Sequence, residues 1–128
     1  MTSDDATMPT LVATVLQSPE PIRLARFYGA LTGWTVHEDD PTWARVRPVD
    51  GAGLSVQYDP EYVAPVWPSE AGAQNMQLHV DFQAEDLPGA VARAVELGAR
   101  EAAFQPQDDV RVLLDPDGHP FCLFLPGV

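Results

Sequence analysis

Side chains able to bind a ligand or a metal fall on short runs of alternating polarity. In Gln77-Leu78-His79-Val80-Asp81-Phe82, His79 and Asp81 stand two residues apart. An extended backbone turns both to one face. A neutral imidazole serves as metal ligand or proton acceptor, and a neighbouring carboxylate can orient it or take its proton. Two plainer readings stand beside this one: His79 as a satisfied core histidine, and Asp81 at the wet rim of a sheet. Cys122 would need a nearby cation or metal to become a thiolate. No basic residue is close to it in sequence, so a small buried apolar role is expected. Ser55 and Gln57 alternate with Leu54, Val56 and Tyr58 and place two further polar groups on one face. Ser55, Gln57, Gln77, His79, Asp81 and Cys122 are therefore the expected polar lining of a cavity.

Aromatic rings add a second set. Tyr58, Trp43 and Phe27 could line an apolar pocket where a flat ligand stacks, although core filling accounts for Phe27 and Trp43. Trp67 sits between Pro65 and Pro68, where a large ring has no local core to join. It reads as a lid over the cavity or as a dimer contact. His119, directly after Gly118, is expected to be a solvated turn residue, and His37 a strand-surface one. There is no glycine-rich phosphate loop, paired zinc cysteines or Ser-His-Asp signature, so nucleotide cofactors are not expected.

Two helices must position these groups. The first is predicted from Ser18-Pro19-Glu20-Pro21, with Ser18 as cap and Pro19 in the first turn, to Leu31. Ile22, Ala25, Tyr28 and Leu31 give it an apolar stripe, and Gly33 a left-handed stop. The second starts near Glu85-Asp86, carries Leu87, Val91, Ala94 and Val95, and stops at Gly98. Strand-like runs precede and follow each helix: Leu11 to Leu16, Trp34 to Glu38, Trp43 to Arg47 and Leu54 to Tyr58, then Met76 to Phe82, Arg100 to Ala103, Val110 to Leu114 and Pro120 to Leu125. Asp50-Gly51 and Asp115-Pro116-Asp117-Gly118 are matching turns. The order is βαβββ twice: an α+β fold of two tandem modules, over about residues 10–59 and 75–126, joined by a linker over about 60–74.

One domain is the expectation for 128 residues that are 45% hydrophobic. Nineteen acids against seven bases leave a formal charge of -12, which repels nucleic acid and anionic membranes. The acidic start, with Asp4 and Asp5, has no apolar run of the leader or anchor type. A single cysteine forms no internal disulfide, and a cytoplasmic protein is expected.

Four segments in order resemble a known family. Phe27-Tyr28 with Leu31-Thr32-Gly33-Trp34 is similar to its helix end, Leu97-Gly98-Ala99 to its "LGA", Gln77 to Asp81 to its "HLD" strand, and Asp115 to Phe121 to its "DPDGxxF" hairpin. The chain thus resembles the vicinal oxygen chelate superfamily, in its glyoxalase-like branch, from about Thr10 to Pro126. The resemblance implies two modules whose sheets curl as a mixed sheet around a cavity, often completed in a homodimer. It also implies, for the enzymes, a divalent metal held by His, Gln or Glu from both modules, where it can hold two neighbouring substrate oxygens. The family's positions fall here on Ala13, on Ser55 or Gln57, on His79 and on Cys122. Ala13 cannot coordinate, and His79 is the one standard ligand. The expectation is a protein that binds a small molecule without the complete family metal site and without another cofactor. The alternatives are an atypical metal-dependent lyase, isomerase or dioxygenase built around His79, and a structural or partner-binding dimer.

Overall fold

The computed structural model describes residues 6–127; Asp4 and Asp5 lie outside the described residues. Its first module runs β1 (Ala13–Ser18), α1 (Pro21–Thr32), β2 (Thr35–Asp40), β3 (Trp43–Arg47) and β4 (Gly53–Tyr58). Its second runs β5 (Val80–Gln83), α2 (Leu87–Leu97), β6 (Arg100–Glu101), β7 (Val110–Leu114) and β8 (Pro120–Phe124). The sheets repeat one topology. Strand order is β1-β4-β3-β2 and β5-β8-β7-β6, with the first strand parallel to the last and the other pairs antiparallel. The tandem βαβββ architecture is therefore present, as the matched caps and turns require.

The start of α1 differs from expectation. Ser18 closes β1 and is fully buried; its hydroxyl accepts from the Glu20 backbone N–H at 2.9 Å, and Pro21 rather than Pro19 opens the helix. A proline at that position gives up a donor that the first turn would leave unpaired anyway. Both helix stops hold: Gly33 and Gly98 have φ of 78° and 122°. At α2, Asp86 caps through the Gly89 N–H at 3.0 Å. β5 is shorter than predicted, and Gln77, Leu78 and His79 precede it as exposed, non-strand residues.

The modules share one core. Leu24, Phe27 and Tyr28 of α1, Val46, Leu54 and Val56 of the first sheet, and Leu113, Phe121 and Leu123 of the second all belong to it. Tyr28 meets Phe121 edge-on and Phe82 at a tilt across the junction, with centroids 6.0 and 6.1 Å apart. Helix α2 adds a polar tie: the Arg93 guanidinium donates to the carbonyls of Ala30 and Leu31 at the end of α1. Those carbonyls have no partner within their own helix, and the cation suits the negative end of its dipole.

The β7–β8 turn packs closely against the linker. Gly118 has φ of 92°, and a Cβ there would lie 2.9 Å from the Ala64 side chain of the linker. Gly118→Ala should therefore cost about 1–3 kcal/mol, from the strained backbone and the clash together. Urea unfolding would measure it, and an unchanged midpoint would contradict this account of the turn.

Candidate functional site

His79, Asp81 and Cys122 do come together. β5 and β8 run parallel with Asp81 opposite Cys122 in register, so their side chains share the sheet face turned away from α2. His79 Nε2 lies 3.0 Å from Asp81 Oδ1, with the imidazole 37% and the carboxylate 54% exposed. One potential ligand atom from each of His79, Asp81 and Cys122 lies within 4.8 Å of the others. With Gln107, Val110 and Phe124 they line a shallow hollow of about 270 Å³. Burial pushes the Cys122 thiol up to about 11, and the charge and hydrogen bond of Asp81 push it the same way. At neutral pH this cysteine is a thiol.

The remaining predicted residues lie elsewhere. Ser55 and Gln57 are on the first sheet, no strand of which neighbours a strand of the second. Ser55 is buried under Arg47, whose guanidinium donates to its hydroxyl at 2.9 Å, and Gln57 meets Gln17 at 3.4 Å. Tyr58 lies in a different hollow beside Pro19, Ile22 and Arg26, on the α1 side, because strand alternation sends it the opposite way from Gln57. Trp67 is half-buried; its indole N–H donates to the Phe104 carbonyl at 3.0 Å and its ring meets the Phe104 ring, so it ties the linker to the β6–β7 loop. It takes no part in lining the hollow at Cys122.

A larger cleft opens between the modules, with a volume of about 370 Å³. Val15, Leu16 and Gln17 of β1 form one wall, the segment from Gln74 to Val80 another, and the linker residues Asp59 to Pro65 the rim. Tyr28, His119 and Pro120 close the inner end. His79 borders both this cleft and the hollow at Cys122.

The inner end is organised by Asp115, whose side chain has no exposure. Its carboxylate accepts from the Tyr28 hydroxyl at 2.7 Å, the Asp117 N–H at 2.9 Å and the His119 N–H at 3.0 Å, and lies 2.8 Å from His119 Nδ1. Burial, and then the Asp115 charge, hold the Tyr28 phenol well above its ordinary range, so it stays a donor. Next door, Asp117 accepts from Ser18 at 2.5 Å and from Arg23 at 2.9 Å. His119 is thus no solvated turn residue: its side chain is 15% exposed and its ring packs on Tyr62. Asp at the first turn position is a common turn residue for local reasons. Nothing local shows that this one also receives a tyrosine from the other module.

A model of the glyoxalase-like domain family matches residues 13–124. No curated protein matches the chain in sequence. Among solved structures, the chain is similar to a glyoxalase/bleomycin resistance protein/dioxygenase family enzyme from Burkholderia phytofirmans, at 14% identity and a TM-score of 0.69 over 91% of this chain and 98% of that one. It is also similar to a glyoxalase-related enzyme from Fulvimarina pelagi, at 17% identity and a TM-score of 0.66 over 94% and 91% of the two chains. A possible glyoxalase from Bacillus cereus gives 16% identity and a TM-score of 0.67 over 91% and 99%. At such identities these structures establish the shared fold.

The raised thiol makes a direct prediction. Because the reactive form is the thiolate, iodoacetamide should label Cys122 slowly at neutral pH and faster by about tenfold per pH unit until the pH nears the thiol's pKa of about 11. Asp81→Asn removes the carboxylate's charge and should speed labelling at any given pH below that. Fast labelling with no pH dependence between about 7 and 9 would show that Cys122 is a thiolate after all.

Proposed function

The chain belongs to the glyoxalase-like domain family of the vicinal oxygen chelate superfamily, and on that premise we propose that it binds a small organic molecule in the cleft between its modules. The observation that carries this reading is the make-up of the cleft. Its volume of about 370 Å³ lies within the range of small-molecule sites. Val15, Leu16, Val63 and Val80 supply an apolar lining, and Gln17, Gln77 and His79 supply a few polar groups to orient what enters. Val15 and Val63 are exposed in the cleft, so an apolar guest would remove them from water.

The donor set argues against the family's metal-centred chemistry. Ala13 has no ligand atom, Ser55 is buried and bonded to Arg47, and Gln57 meets Gln17 on the first sheet. Cys122 would have to give up a proton that its surroundings hold firmly. The residues present do not fit the family's four-ligand site. One observation favours a second reading: the convergence of His79, Asp81 and Cys122 within 4.8 Å, which offers an atypical three-residue site for a divalent ion. A homodimer, implied by family membership, would give the polar outer faces of both sheets a partner. A reducing cytoplasmic setting suits the free thiol.

A neutral naphthalene fluorophore such as prodan should bind at one saturable site with blue-shifted emission, and Val15→Trp, which fills the cleft, should weaken it about tenfold or more. Absence of saturable binding, or binding that Val15→Trp leaves unchanged, would overturn the cleft reading. Parallel thermal-shift titration with Zn, Ni, Mn and Fe separates the two readings: one equivalent bound and lost in His79→Ala would establish the metal site.

A further inference from the structure

One polar atom in the cleft region has no partner. Asp115, acting as acceptor for every donor around it, holds His119 at Nδ1, so Nδ1 carries a hydrogen and, in the neutral imidazole, Nε2 keeps a lone pair. Nε2 is buried and makes no hydrogen bond among the described residues. Buried polar atoms without a partner are rare in folded proteins, and each one calls for a physical explanation such as a group that arrives later. The ring belongs to the wall of the inter-module cleft, alongside Tyr28, Tyr62 and Pro120. Tyr62 lies over it, with centroids 5.0 Å apart, and its side chain is held by a hydrogen bond from its hydroxyl to the Asp117 carbonyl.

Resting on the cleft-binding reading, we propose that His119 is the recognition residue of the cleft: its Nε2 accepts a hydrogen bond from a hydroxyl or amine of an otherwise apolar ligand, which Tyr62 admits by shifting aside. Asp115 is the positioning residue, since it fixes both the tautomer and the direction of the ring. Charge selects the ligand further. Asp59 and Glu61 line the cleft, and among the described residues no lysine or arginine does. A carboxylate or phosphate would meet repulsion there and find no hydrogen on Nε2. The ligand class is therefore a neutral or cationic molecule with an apolar body and an O–H or N–H donor.

The test uses the full chain, labelled with 15N in histidine and 13C in the valine methyls, at pH about 8. Benzyl alcohol, benzylamine, toluene and benzoate are the probes. The free protein should show His119 as the Nδ1–H tautomer. Benzyl alcohol and benzylamine should shift both the Val15 and Val80 methyls and the His119 Nε2 resonance; toluene should shift the methyls alone, and benzoate neither. Benzyl alcohol should bind about fivefold to tenfold more tightly than toluene, and His119→Phe should abolish that preference. An Nε2–H tautomer in the free protein, or an Nε2 resonance that stays put while the methyls saturate, would overturn the role of His119 and leave cleft binding standing. No methyl shift with any probe would overturn both. Should His119→Phe fail to fold, the tautomer and shifts of the wild-type protein still decide.

Discussion

A carboxylate buried without exposure is costly unless donors surround it, and the Asp115 side chain meets that condition by drawing on both modules. The hairpin that carries it supplies the N–H groups of Asp117 and His119 and the His119 ring; α1 of the first module supplies the Tyr28 hydroxyl. Removing any donor leaves part of a buried charge unsatisfied, an effect of about 1–3 kcal/mol. The two modules are thus held in one relative position by a directional polar contact set inside an otherwise apolar junction of Phe27, Phe82 and Phe121.

That position creates the cleft. With α1 drawn onto the β7–β8 hairpin, β1 and the segment leading into β5 stand apart, and the linker from Asp59 to Pro65 spans the gap. The linker is secured at several points: Tyr62 to the Asp117 carbonyl, Val66 to the Gln74 carbonyl, and Trp67 to the Phe104 carbonyl. The space under it is lined by side chains that the core leaves exposed, including Val15 and Leu78. No described helix is long and apolar enough to cross a membrane.

The parts of this architecture legible in the sequence were those set by local chemistry. Gly33 and Gly98 stop helices because they accept positive φ, Asp86 caps because its side chain reaches the Gly89 N–H, and Asp115 to Gly118 turn because each residue type suits its place. Strand alternation also put Asp81 and Cys122 on one face. What stayed illegible depends on contacts far apart in the chain. Ser18 holds the Glu20 N–H and also reaches Asp117 of the other module, Tyr58 lies on the α1 side, and Trp67 ties the linker to the β6–β7 loop; no local pattern shows any of these long-range partners. His119 reads as a turn residue because its burial comes from Tyr62 and its orientation from an aspartate whose position is fixed by the other module.

The dependence on Asp115 is tested most directly by a double-mutant cycle in urea unfolding, with Tyr28→Phe, Asp115→Ala and the pair. If the carboxylate and the hydroxyl tie the modules together, the effects are non-additive, with a coupling of about 0.5–3 kcal/mol. Effects that add within about 0.3 kcal/mol would show that the carboxylate and the hydroxyl do not tie the modules together.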